Sequence, residues 1–184
     1  MRNILKNRLA LSTVVTTLII LVVSVLLAGV VTYFAINVTS TRVQEEDLAL
    51  TKQHVWYNAA GSTTQAAILV INTGGRDVVL QKLSVRGQAV DWSHILYGTT
   101  NSSIAADISA NSTAAAGSYS IGSVNLTLAT TTTDLTLQSG SSMVIFVSSP
   151  DSITINDIGL TVGITVFTSQ AMYYQEANVQ SYTP

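Results

Sequence analysis

Cysteine is missing from this 184-residue chain, proline occurs only at positions 150 and 184, and charged residues make up 10% of it. Without cysteine, disulfides, thiolate metal sites and a cysteine nucleophile are all excluded, so packing alone must hold any folded domain together. Lys and Arg are absent from Gly87 to Pro184, and beyond Arg8 five basic residues stand against ten acidic ones. A phosphate-neutralising surface cannot be assembled from such a stretch, which excludes nucleic acid as the partner. With so little charge, the surface must be solvated by Ser, Thr, Asn and Gln, a composition that suits close packing of identical copies.

What is abundant is apolar sequence at the N-terminus. Arg2, Lys6 and Arg8 precede an uncharged stretch from Leu9 to Thr41. The thirty residues from Leu9 to Val38 would run roughly 45 Å as a helix, whereas a bilayer core spans about 30 Å. This run is also about twice the apolar core of a cleavable secretory signal. The basic cluster places the N-terminus in the cytoplasm and everything after Val38 outside, as a single-pass membrane protein. Small or hydroxylated residues at Ser12, Thr16, Thr17, Ser24, Ala28, Gly29 and Thr32 permit close helix approach. Tyr33 and Phe34 fall where a helix leaves lipid. No proline interrupts the pattern before about Lys52, and Ile36, Val43 and Leu50 recur every seven residues, so one long helix with an apolar stripe is expected over residues 11–52.

After Asn58 the pattern changes to period two. Ile68, Leu69, Val70 and Ile71 form one apolar run, Gly74 and Gly75 turn the chain, and Val79, Leu83 and Val85 follow on one face, which reads as a hairpin. Val124, Leu126 and Leu128 alternate with polar residues, as do Leu160, Val162, Ile164 and Val166. Met143 to Val147 reads as a buried strand, and Ala171 to Val179 as a last one. Roughly seven to nine strands with no second helix favour a β-sandwich, and Thr99 to Ser120, rich in Ala, Ser and Asn, reads as a long loop.

Candidate chemistry is sparse. His54 and His94 have no carboxylate cluster at ligand spacing, and Ser93 and His94, adjacent on an extended segment, would point to opposite faces. Asp134, Asp151 and Asp157 lack the spaced oxygens and glycine of a calcium loop and read as turn and cap residues. No phosphate loop, nucleophile elbow or zincin motif occurs, so neither an enzyme nor a cofactor is expected. Four N-x-[ST] sequons begin at Asn37, Asn101, Asn111 and Asn125. Asn37 lies on the apolar helix where a glycan would obstruct packing, which leaves Asn101, Asn111 and Asn125 as the candidate N-glycosylation sites. Tyr173, Tyr174 and Tyr182 are candidate surface contacts.

The run Arg8-Leu9-Ala10-Leu11-Ser12-Thr13-Val14-Val15, a basic leader ending beside a small residue and followed at once by an apolar helix, resembles the class III signal of archaeal type IV pilins and archaellins. Ala67 to Val78 is similar to the first hairpin of archaeal pilin-like domains. The resemblance implies a basic leader over residues 1–10, cleaved between Ala10 and Leu11 by a prepilin peptidase. A transmembrane and filament-core helix over 11–52 and a β-sandwich ectodomain over 53–184 would then follow. The mature fifth residue would be Val15, where bacterial pilins carry a glutamate. The implied fold is α+β, with an immunoglobulin-like, type IV pilin-like sandwich after the helix. The implied function is a structural subunit of an extracellular adhesive filament, with copies of itself, the peptidase, the membrane and an assembly machinery as partners. Two other readings stay open on the residues alone: a membrane-anchored surface protein whose sandwich binds a partner, and the archaellin of a motility filament.

Overall fold

The structure, a computed structural model, describes residues 2–43, 45–110 and 115–183, and within the first helix the side chains of residues 11–40. The chain divides into two compact units, Met1–Val43 and Gln44–Pro184. The first is a single helix, α1, over Arg2–Val43. The second is a β domain of eleven strands among the described residues.

The helix ends earlier than the sequence suggests. Strand β1 occupies Leu48–Asn58, so Leu50 lies in a strand and the seven-residue stripe through Ile36 and Val43 does not continue to it. The cause is long-range hydrogen bonding. Asp47 O accepts from Thr73 N and Gly74 N at 3.0 Å each, and Glu45 O accepts from Gly75 N at 3.3 Å. Glu46 is hydrogen-bonded by Thr168 Oγ1. A helix through 45–47 would need these carbonyls for its own ladder. A Cβ on Gly74 would stand 2.6 Å from Glu45 O and 2.7 Å from Asp47 N. Gly74→Ala should therefore cost about 1–3 kcal/mol, because backbone must shift. At Gly163 the nearest atoms to an added Cβ belong to the ring tip of Tyr174, at 2.3 Å. That ring can swing into solvent, so Gly163→Ala should cost less than about 1 kcal/mol. Urea unfolding of the two variants checks this contrast.

After β1 come β2 (Thr63–Asn72), β3 (Val78–Val85), β4 (Gln88–Ala89) and β5 (Ile95–Thr100). They are followed by β6 (Gly117–Ile121), β7 (Val124–Thr130), β8 (Leu135–Leu137), β9 (Ser142–Ser148), β10 (Thr161–Thr168) and β11 (Met172–Tyr182). Hydrogen bonds link them in the order β4-β3-β10-β11-β1-β2-β9-β5-β7-β6, with β8 on β3. Neighbours pair antiparallel except β1 and β11, which run parallel from Val55↔Val179 to Asn58↔Tyr182. β10 begins at Thr161 and leaves Leu160, the first member of its apolar alternation, exposed.

The expected hairpin of β2 with β3 does not form. β2 is paired on one edge by β1, from Leu48↔Asn72 to Asn58↔Thr63, and on the other by β9, from Gln65↔Ser148 to Ile71↔Ser142. With both edges taken, β3 must pair elsewhere, and it pairs with β10, β4 and β8. Asn72 makes the crossing possible. It is 1% exposed, yet its Nδ2 donates to Arg76 O at 2.8 Å and Leu137 O at 3.1 Å while its Oδ1 accepts from Gly74 N at 3.1 Å. Fully satisfied, it holds the chain as it leaves β2 without a desolvation penalty.

Two apolar cores explain the sequence pattern. The first gathers Leu80, Leu83 and Val85 of β3, Val162, Ile164 and Val166 of β10, and Val179 of β11 against Val55 of β1, Ile68 and Val70 of β2, and Met143 and Ile145 of β9. Trp56, Ala67, Leu69, Leu96, Val144 and Phe146 belong instead to a second core, with Leu126 and Leu128 of β7, Ile121 of β6, and Ile104 and Ile108. Since side chains alternate along a strand, β2 feeds the first core with even positions and the second with odd ones, and β9 does the reverse. That is why both read as continuous apolar runs. The stretch from Thr99 to Ser120 is thus more than a surface loop. β5 and β6 claim its ends, and Ile104 and Ile108 close the second core. Lys52 Nζ donates to Ala105 O at 2.7 Å, and His54 Nε2 meets Asp107 Oδ1 at 2.9 Å, which fasten this cover to β1.

Candidate functional site

The feature that stands out is the surface of α1. Among the described residues it carries one span long and apolar enough to cross a membrane, Leu11–Ser40. Its large apolar side chains are 45% to 70% exposed, from Val22 to Tyr33. In water such a surface is unfavourable by about 25 cal/mol per Å². Five of the hydroxylated residues do not spoil its apolar character, because each turns its donor onto the helix's own backbone. Thr16 donates to Ser12 O, Thr17 to Val14 O, Ser24 to Ile20 O, Thr32 to Ala28 O and Thr39 to Ala35 O, all between 2.6 and 2.9 Å. Such back-bonding satisfies a hydroxyl inside hydrocarbon or against another helix. An added Cβ at Gly29 would meet no other side chain of α1 within 4 Å among the described residues, which leaves a notch on the helix surface there. Ala10 and Leu11 both lie within α1, and the side chain of Leu11 is 68% exposed.

The sequon residues fall in the β domain. Asn101 is exposed just after β5, and its Oδ1 accepts from Ser141 Oγ at 2.8 Å. Asn125 is exposed on β7 and accepts from Ser120 Oγ at 2.6 Å. Asn111 lies outside the described residues.

The titratable residues are tied into local structure. His54 stacks on Trp56 at 5.1 Å between ring centroids while bonding Asp107. That bond, the largest influence on Asp107, holds its carboxyl below the usual range. Trp92–His94 is a short 3-10 turn where the sequence suggests an extended segment, because Asp91 Oδ1 accepts from Ser93 N at 2.9 Å and caps it. The same backbone bond lowers the Asp91 pKa. A cleft of about 150 Å³ near this turn is lined by residues including Asp91, His94 and Asp151. Among the described residues no three His, Asp or Glu side chains are grouped to hold a metal ion. Tyr174 is 56% exposed, and its hydroxyl donates to Glu176 Oε1 at 2.9 Å. Tyr173 and Tyr182 are half-buried against the first and second core respectively.

One ion pair is hidden from sequence reasoning because its members stand 71 positions apart. Arg86 Nη1 donates to Asp157 Oδ1 at 2.8 Å and to Ser152 O at 3.1 Å. Asp157 Oδ2 accepts from Thr154 N at 2.7 Å and Thr154 Oγ1 at 2.8 Å, capping the 3-10 turn Ile155–Asp157. Asp157 is thus a cap residue, as its position in the sequence suggests. The backbone bond from Thr154 is the largest influence lowering its pKa, and Arg86 adds to it. A carboxyl whose folded pKa lies below its unfolded value stabilises the fold above the unfolded value and loses that contribution as pH falls through the folded one. Stability should therefore decline below about pH 4, where unfolded Asp titrates. Asp157→Asn should flatten that decline and lower stability at pH 7. Thermal melts from pH 7 to pH 2 check this.

No protein-family model matches the chain, and a search of curated proteins finds no match. Among solved structures the chain is similar to the ligand binding region of Serine-glutamate repeat protein A (SgrA) of Enterococcus faecium. The identity is 14% and the TM-score 0.33, over 76% of this chain and 100% of that one. It is also similar to a family 123 glycoside hydrolase from Clostridium perfringens at 12% identity and TM-score 0.34, over 76% of this chain and 28% of that one. At these scores neither likeness bears on what the chain does.

Proposed function

We propose that the chain is a structural subunit of an extracellular archaeal type IV pilus-like filament, which polymerises through α1 and presents the β domain as an immunoglobulin-like sandwich on the outside. One observation carries this reading. α1 exposes an apolar surface longer than a bilayer requires, with five of its hydroxyls bonded to its own backbone. Such a helix is stable in lipid before assembly and among sister helices afterwards. Between those two apolar settings the gain is small, since lipid tails are as apolar as Leu, so close packing at Ser24, Ala28 and Gly29 must supply specificity. Removal of the leader between Ala10 and Leu11 would come first, and an energy-using assembly machinery would extract the subunit.

Because the chain has no cysteine, a single introduced one is a unique probe. Ala28→Cys should give disulfide-linked dimers in oxidised cell-surface material, as expected of notches that face one another in a helix bundle. Monomers alone, at Ala28→Cys and likewise at Val22→Cys and Thr32→Cys, would contradict polymerisation through this helix.

A further inference from the structure

Between the end of β5 and the turn after β8 the β domain holds a cleft of about 360 Å³, within the range of about 300–1,000 Å³ found for small-molecule sites. Tyr97 and Thr99 of β5, Asn101, Thr136 and Leu137 of β8, Gln138 and Ser141 line it, and none of these is charged. Ser141 Oγ is bonded to Asn101 Oδ1, whereas the side chains of Tyr97, Thr99, Thr136 and Gln138 make no hydrogen bond within the described residues. Two threonines, a tyrosine and a glutamine therefore border one concavity, and the hydroxyls and the carboxamide they carry can each donate and accept.

This lining discriminates among ligands. An ionic ligand would leave water without a counter-charge. A purely apolar one would strand the hydroxyls and the amide. The chemistry that matches is a ring with an apolar C–H face for the tyrosine and a rim of hydroxyls for the surrounding groups. We propose that this cleft binds a neutral saccharide unit. The site lies within the β domain and stands whether or not α1 polymerises. Asn101 opens a sequon at its wall, so the saccharide has two possible sources: carbohydrate of another molecule, or a glycan on Asn101 itself.

The test uses the full chain in phosphocholine micelles, which contain no sugar, produced in a host that does not N-glycosylate. The probes are the methyl glycosides of glucose, galactose, mannose and N-acetylglucosamine, followed by saturation-transfer NMR. At least one should receive saturation, and the double variant Thr99→Ala, Gln138→Ala should raise its Kd about tenfold, as loss of two ordinary hydrogen bonds implies. If the double variant does not fold, Thr136→Ala and Gln138→Ala taken singly serve instead, and a severalfold rise in either supports the site. No transfer from any of the four glycosides to folded protein overturns the proposal, as does unchanged binding in the variants. In protein from its native cells, binding that appears only after Asn101→Gln assigns the cleft to the chain's own glycan. Equal binding before and after assigns it to carbohydrate of another molecule.

Discussion

Removing residues 1–43 should convert a chain that partitions into membranes or detergent into one that stays in aqueous solution and unfolds in a single cooperative transition. Leu11–Ser40 is apolar and its described side chains are exposed, while residues from 45 onward form their own compact unit with two cores. The effect on partitioning is close to all-or-none, because each central Leu, Ile, Val or Phe favours membrane insertion by about 0.3–0.6 kcal/mol and the span holds many of them. The pinning of Glu45–Asp47 by residues 73–75 and Thr168 predicts where the cut belongs. A fragment starting at residue 45 should be more stable than one starting at Gln53, because the latter removes nearly half of β1. Ultracentrifugation of membrane fractions and urea unfolding of the two truncations provide the measurement. An aggregating residue-45 fragment, or equal stability of the two, would contradict this account of the boundary.

The second large effect is expected at Phe146. It is 0% exposed and sits in the second core with Tyr119 edge-on at 4.9 Å and 77°. Its neighbours in that core come from β2, β5, β6, β7 and the segment holding Ile104 and Ile108. Phe146→Ala should cost about 3–5 kcal/mol, a large share of the roughly 5–15 kcal/mol that holds a domain folded. The loss should include hydrogen-exchange protection in β6 and β7, whose only described apolar support is that core. Tyr174→Ala, at an exposed position, should stay within about 0.5 kcal/mol. A cost below about 1 kcal/mol for Phe146→Ala would mean that the cover over the second core does not close.

Much of the architecture is legible in the residues, and the failures have physical causes. The apolar helix and the strands at Leu126, Leu128, Val162, Ile164 and Val166 follow from periods that only one kind of element satisfies. The helix C-terminus does not, because Leu48 and Leu50 fit either period and no proline or glycine stops the chain; carbonyl contacts with residues 73–75 decide it. The Gly74-Gly75 turn announces a change of direction but not which strand edge is free, so pairing of β2 with β3 is a reasonable expectation that β1 and β9 forestall. Continuous runs such as Ile68–Ile71 signal burial on both faces, yet not that two separate cores receive them. Pairings such as Arg86 with Asp157, and the cleft that joins Tyr97 to Gln138, depend on contacts dozens of residues apart. No local pattern carries them.

The central claim is that Leu11 begins a mature subunit held in a filament by α1. Filaments sheared from native cells, imaged by electron microscopy and then subjected to N-terminal peptide mass spectrometry, test it most directly. The expected result is filaments in which this chain starts at Leu11. Recovery of the chain only from membranes, with its N-terminus at Met1 and no filament containing it, would contradict the claim and leave a static membrane-anchored surface protein in its place.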